Sequence, residues 1–146
     1  MFRREILAKA GLFALAALSG KAMGEDMPHD HQHMHHNPYS NLIDSSSDCI
    51  SKGQACMSHC LELLGQGNKD MADCAKSVNQ MLALCLSLQS LANQQSTLLP
   101  ALAKVALNAC QSCETACRKH ESIHAACKAC AESCANCIIQ CKAIAA

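Results

Sequence analysis

Apolar and small side chains recur every three or four positions from about residue 40 to the end of the chain, which is the spacing of amphipathic helices. Turn-forming residues interrupt this pattern three times, at 65–68, 93–97 and 120–122. The pattern predicts four helices, near 40–64, near 70–92, from the polar segment 93–97 to about 119, and near 123–143. No alternating run of apolar residues indicates a strand. Because the connections are short, we expect an all-α, antiparallel, up-down four-helix bundle.

The beginning of the chain has a different pattern. Arg3 and Arg4 precede an apolar stretch at 10–18, which a polar break at 19–21 ends. This order is typical of an export signal, with cleavage expected between Ala22 and Gly24, and the paired arginines favour the twin-arginine route. The alternative is an uncleaved membrane anchor, for which the apolar stretch is short. We therefore predict an exported protein, located in the periplasm or at associated internal membranes.

A polar segment at 25–39 separates this signal from the helices. It has no hydrophobic period and is rich in histidine and methionine, which predicts a flexible tail. Its histidines and methionines are Met27, His29, His31, His33, Met34, His35 and His36. The tail is either a solvated leader or a weak metal-capture segment; an affinity tag is a third interpretation, which the interleaved Asp and Met disfavour.

Removal of the signal changes the charge and the composition of the core. Residues 1–24 carry four basic side chains and one acidic one, so eight basic and eleven acidic side chains remain, a charge of −3. No basic stripe is present, which argues against nucleic-acid binding. Both phenylalanines leave with the signal and there is no tryptophan. About 120 residues remain, which form one domain. Tyr39 is the one Phe, Tyr or Trp residue left among them.

The volume that aromatic rings would fill is given to cysteine. The chain has thirteen cysteines, and they follow helical spacing. At about 100° per residue, the five of the fourth helix stay within an arc of about 80° on one face, and the earlier helices carry similar stripes. These stripes predict thiols that face the bundle axis as metal ligands: Cys49, Cys56, Cys60, Cys74, Cys85, Cys110, Cys113, Cys117, Cys127, Cys130, Cys134, Cys137 and Cys141.

A disulfide scaffold is one alternative for an exported chain so rich in cysteine. The odd number of cysteines leaves one thiol unpaired. Neighbours three or four residues apart on one helix face also point in nearly the same direction, which suits a shared ligand better than the disulfide dihedral. A disulfide-stabilised structural or redox bundle is therefore less favoured than metal binding.

Charge decides between the metals. Zinc requires four thiolates per ion, and each such unit would bury a charge of −2 that no basic side chain on the stripes offsets. The spacing also differs from the known iron–sulfur patterns. Cu(I) prefers thiolates, and bridging thiolates would hold about one Cu(I) each in a neutral core. We expect about thirteen Cu(I) per chain, with a metallothionein-like zinc or other soft-metal buffer as the alternative. Ligands spread along the axis indicate storage, not an enzyme.

One end of the bundle has further candidate ligands. In an up-down bundle the first and third turns lie at the same end, which gathers His59, Met71, His120 and His124 there. We expect His59, beside Cys60, and Met71 to complete a metal site at this mouth. The alternatives are an exposed histidine and a core methionine. His120 and His124 are weaker candidates.

These motifs resemble a known family. The CxxxC pairs at 56/60, 113/117, 130/134 and 137/141, together with CxxC pairs on an exported helical bundle, are similar to the bacterial copper storage proteins, in particular the exported, twin-arginine-signal form of methane-oxidising bacteria. The resemblance covers about residues 40–146. It implies a homotetramer of bundles with Cu(I) in each core. It also implies delivery of copper to copper enzymes such as membrane-bound methane monooxygenase.

Overall fold

The computed structural model describes residues 37–145. It contains helices α1, α2, α3 and α4, and a short 3₁₀ turn at Lys69–Met71 that leads into α2. The predicted export signal and most of the predicted tail lie outside the described residues. The four helices span Ser40–Gly65, Ala72–Asn93, Leu99–Arg118 and Ala125–Ala145.

The helices form the predicted bundle. α1 packs against α2 and α4, and α3 packs against the same two helices. This cyclic order follows from the short connections, which return each helix antiparallel beside the previous one. The prediction of an all-α four-helix bundle is therefore confirmed. Within residues 37–145, no helix combines the length and the apolar character that a membrane span requires.

The turns explain where the helices differ from the expected bounds. Asn68 accepts a hydrogen bond on its side chain from the backbone N–H of Asp70 at 3.2 Å, which begins the 3₁₀ turn and delays α2 to Ala72. At the third turn, the backbone N–H of His124 donates to the carbonyl of His120 at 2.9 Å. This turn uses residues that the sequence pattern assigned to the fourth helix. In the second turn, the hydroxyl of Ser96 accepts from the N–H of Leu98 at 3.2 Å, just before α3 begins.

The core has two chemically different parts. All thirteen cysteines are buried with no exposed surface. At the end of the bundle that holds the second turn, the axis is instead filled by Leu42, Leu88 and Leu99 together with small alanines. Asn37 lies over the same end and donates from Nδ2 to the carbonyl of Ala92 at 3.1 Å. We call this leucine-filled region the closed end.

Gly53 lies against α2 with no room for a side chain of its own. A Cβ atom at this position would lie 2.7 Å from Cε of Met81 and 2.8 Å from Cδ2 of Leu82. The Met81 side chain is fully buried. The absence of a side chain at Gly53 therefore lets the Met81 side chain fill the space between the two helices.

A side chain at Gly53 should weaken the bundle. We expect Gly53→Val to lower the free energy of unfolding of the metal-free protein by about 1–3 kcal/mol, because the added carbons overpack the contact with Met81 and Leu82. Urea titration followed by circular dichroism measures the change. Gly65→Val is the matched control, since a Cβ there has no neighbour within 4 Å. Equal destabilisation by the two variants would contradict the packing role of Gly53.

Candidate metal centre

The thirteen thiols come from all four helices and meet along the axis. α1 contributes three cysteines, α2 two, α3 three and α4 five. The structure therefore brings every predicted cysteine to the axis, and all thirteen are free thiols. The helical period explains this arrangement, because steps of three and four residues keep each stripe on the buried face.

The thiols form two sets of four, and within each set the four Sγ atoms lie within 4.8 Å of one another. The set nearer the first and third turns, which we call the outer group, consists of Cys56, Cys60, Cys74 and Cys127. The set nearer the closed end, which we call the inner group, consists of Cys49, Cys85, Cys110 and Cys137. Two sets of three thiols lie between them: Cys56, Cys117 and Cys130, and Cys113, Cys130 and Cys134.

The distances between the thiols are those of sulfur atoms that share metal ions. The Sγ atoms of Cys74 and Cys117 are 3.4 Å apart, and those of Cys56 and Cys127 are 3.8 Å apart. A metal–sulfur bond of about 2.3 Å in a tetrahedral site places its sulfurs about 3.8 Å apart. Metal ions can therefore bridge these thiols without a large movement of the helices.

The thiol network determines where protons are held. In the outer group, interaction with the thiol of Cys117 lowers the pKa of Cys74 to about 2. Burial, followed by repulsion from Cys74, raises the pKa of Cys60 to about 12 and that of Cys127 to about 11. In the inner group, interaction with the Cys110 thiol lowers the pKa of Cys49 to about 5. Each group thus has a thiol that gives up its proton readily beside others that hold theirs.

The surroundings supply no positive charge to the network. Every lysine and arginine among residues 37–145 is exposed on the surface of the bundle. A buried thiolate is costly unless a proton or a metal ion neutralises it in place. An axis without net charge therefore requires either a proton or the positive charge of a bound metal ion for each sulfur.

The structure gathers the predicted histidines at the mouth of the bundle. The ring centroids of His59 and His124 are 4.8 Å apart, and those of His120 and His124 are 6.4 Å apart. Nε2 of His59 is buried and has no hydrogen-bond partner in the described part of the chain. A buried imidazole nitrogen without a partner is costly. Coordination of a metal ion by this nitrogen would remove that cost.

Met71 lies at this end but has a different environment. Its side chain is fully buried within the core, in the 3₁₀ turn that precedes Cys74. A pocket of about 320 Å³ opens nearby and extends to Cys74, with Lys69, Asp73 and His120 in its lining. The outer group is therefore the part of the thiol network nearest to solvent. The histidines predicted in the tail lie outside the described residues.

The spacing did not reveal one polar contact of the inner group. The thiol of Cys49 donates to the backbone carbonyl of Ser133 at 3.1 Å, and Ser133 is itself buried. The hydroxyl of Ser133 donates to the carbonyl of Cys130 at 2.9 Å. A serine beside Cys134 carries no distinguishing signal in the sequence, because its buried position depends on how closely α1 and α4 pack.

Comparison with known proteins agrees with this geometry. The model of the family described as copper storage protein (Csp) matches residues 35–146. Apo copper storage protein 3 from Bacillus subtilis is 26% identical with a TM-score of 0.65, over 74% of this chain and 99% of that one. The Cu(I)-bound copper storage protein BsCsp3 is 26% identical with a TM-score of 0.67, over 74% and 98%. A search of curated proteins finds no match.

The raised pKa values predict an alkaline weakness of the metal-free protein. Unfolded thiols lose their protons near the ordinary pKa of 9.0, whereas Cys127 and Cys60 keep theirs to about 11 and about 12. Between pH 9 and these values the folded state binds more protons than the unfolded state, so stability falls as pH rises. We expect a lower urea midpoint at pH 10.5 than at pH 8.

The matched variant replaces both titrating thiols with serine. Between the same two pH values, the urea midpoint of C60S/C127S should decrease less than that of the original protein, because the serine hydroxyls do not titrate there. A midpoint in the original protein that is equal at pH 8 and pH 10.5 would contradict this account of the outer group.

Proposed function

Because this chain belongs to the copper storage protein family, we propose that it stores Cu(I) in its core and holds about one ion per cysteine thiolate. The observation that carries this proposal is the set of thirteen buried thiols along an axis at which residues 37–145 place no basic side chain. Cu(I) prefers thiolate ligands, and one monovalent ion for each thiolate leaves no net charge. The Cu(I)-bound copper storage protein BsCsp3, which has the same fold, supports this assignment.

Charge separates copper from zinc as the stored metal. Each zinc ion bound by four thiolates would leave a charge of −2 within the helices. All lysines and arginines of the described region are exposed, so this charge would have no partner in the core. A zinc buffer would therefore fill the two four-thiol groups at a cost that increases with each ion.

The distribution of ligands supports storage in place of catalysis. Cys127 and Cys141 are fourteen residues apart on α4, which corresponds to about 21 Å along the axis. A catalytic metal centre usually concentrates its ligands at one place and keeps a coordination position open for substrate. Many similar sites along one axis instead provide capacity.

The mouth is the place where copper exchange is favoured. His59 has a buried nitrogen without a hydrogen-bond partner among residues 37–145, and the pocket beside the third turn extends to Cys74. We assign His59 and Met71 to a copper site that completes this end of the network. Imidazole and thioether are both ligands for copper, and neither adds negative charge. His120 and His124 are candidates for the same site.

The cellular setting of this store follows from the first residues and the surface. Export by the twin-arginine route, from a signal at 1–24, would place the store outside the cytoplasm.

Leu86, Leu98 and Val105 are large apolar side chains on α2, α3 and the turn between them, and each is more than half exposed. Association into a homotetramer would cover such residues. Membrane-bound methane monooxygenase is the kind of copper enzyme that we propose as the recipient.

Direct titration tests the proposed capacity. We expect the reduced, metal-free protein to bind about thirteen Cu(I) per chain under anaerobic conditions, because each thiolate is neutralised by one ion. A competing chromophoric Cu(I) chelator measures the endpoint, and metal analysis of protein purified without oxygen gives an independent value. Saturation at three or four ions, or preferential retention of zinc in competition, would contradict the proposal. Few free thiols after anaerobic purification would instead favour a disulfide-based protein.

Substitution at the mouth tests the roles of His59 and Met71. We expect H59A/M71L to weaken or slow the binding of the copper held at the mouth and to leave the bulk capacity intact, because the thirteen thiols remain. The same chelator competition, with a time course, measures both quantities. M81L is the matched control, since it removes a buried thioether between the groups. The mouth site would be rejected if H59A/M71L bound its last copper as tightly and as fast as M81L does.

A further inference from the structure

The column of thiols is not continuous on all sides. Along α1, no cysteine occurs between Cys49 and Cys56, which are seven residues or about 10 Å apart. Along α2, Cys74 and Cys85 are separated by about 16 Å. Gly53 and Met81 occupy the intervening level of these two helices, where the Met81 side chain fills the space over Gly53. On the α1 and α2 side, the outer and inner groups are therefore separated by a section without thiols.

The α3 and α4 side has thiols at this level. Cys113, Cys130 and Cys134 lie within 4.8 Å of one another. The Sγ atoms of Cys113 and Cys130 are 3.8 Å apart, and Cys113 is 4.0 Å from Cys117, which contacts the outer group. The thiols of these two helices therefore extend the outer group toward the closed end.

Cys134 has neighbours on both sides of the gap. Its Sγ atom lies within 4.8 Å of those of Cys113 and Cys130. On α4 it is also three residues, about one turn, before Cys137 of the inner group. The Cys49 thiol of the inner group donates to the backbone carbonyl of Ser133, the residue before Cys134, at 3.1 Å. Cys134 is therefore positioned to exchange a metal ion between the two halves of the network.

Copper can approach the inner group from one direction. Leu42, Leu88 and Leu99 fill the closed end and are fully or almost fully buried. Cys141 is the last thiol before them, 3.9 Å from Cys137. The mouth, by contrast, has the histidines and the pocket that extends to Cys74. Ions that fill the inner group therefore arrive through the outer group.

We infer that Cys134 is the transfer ligand through which Cu(I) moves between the outer thiols and the inner group. This inference rests on the proposed copper storage and adds the route by which the core fills. Cys134 would then affect the rate at which the inner group fills more than the other twelve cysteines do. Direct exchange between Cys113 and Cys110, one turn apart on α3, is the competing route.

The transfer is a ligand exchange without a change of oxidation state. A bond forms from Cu(I) to the sulfur of Cys134 as a bond to Cys130 or Cys113 breaks. A second exchange then moves the ion from Cys134 to Cys49 or Cys110. The thiol that receives the ion releases a proton, and the thiolate that is left behind accepts one. Charge is therefore balanced at every step, which the absence of basic side chains in the core requires.

Filling kinetics of two serine variants test this role. C134S and C141S each remove one thiol from α4 and should lose about the same capacity. Anaerobic mixing with excess buffered Cu(I), followed by thiolate-to-copper charge-transfer absorption, should show outer and inner phases in the original protein. We expect C134S to slow the inner phase by about tenfold or more, corresponding to a barrier raised by about 1.4 kcal/mol, and C141S to slow it much less, because Cys141 lies beyond the inner group at the closed end. Equal inner-phase rates in C134S and C141S would overturn the inference in favour of transfer between Cys113 and Cys110.

A second pair of variants keeps the test valid if serine disturbs the fold. C134M and C134L place side chains of similar size at this position, but only methionine provides a soft ligand. We expect C134M to fill the inner group faster than C134L, with circular dichroism confirming equal helix content. Equal rates in this pair would again overturn the inference. A total capacity of three or four ions in the original protein would instead reject copper storage itself, so the two failures are distinguishable.

Discussion

The neutralisation of buried thiolates is the constraint on which this structure depends. Thirteen thiols face the axis, while every basic side chain of residues 37–145 is exposed. Surface lysines cannot offset charge at the axis, because their side chains remain in water. The positive charge must therefore enter with the metal or remain as protons on sulfur. This requirement makes the core a place where protons and monovalent metal ions replace one another.

The same constraint explains the choice of side chains around the axis. Apart from cysteine, the buried side chains between the mouth and the closed end include Val78, Met71, Met81 and alanines, and none of the buried side chains of residues 37–145 carries an aromatic ring. Most of the apolar packing is supplied instead by the closed end and by the partly buried leucines between neighbouring helices.

The sequence predicted the fold and the membership of the site more fully than its internal connections. The helical period alone places Cys127 to Cys141 on one face, and short turns bring His59 and His124 to one end. The unpartnered nitrogen of His59 and the contact of Gly53 with Met81 depend instead on the vertical register between helices, which loop lengths do not fix to within one side chain. For the same reason, spacing could not show that Cys134 lies beside Cys113 of α3, or that Cys49 contacts the backbone next to it.

The closed end determines the order in which copper ions leave the bundle. Since ions enter and leave by the same mouth, an ion in the inner group can depart only after the thiols above it have room to accept it. The first ions to reach Cys49 and Cys137 are therefore the last to leave. A cell that draws briefly on such a protein would exchange its most recently acquired copper and keep an older reserve. The depth of an ion in the bundle thus becomes a record of its age.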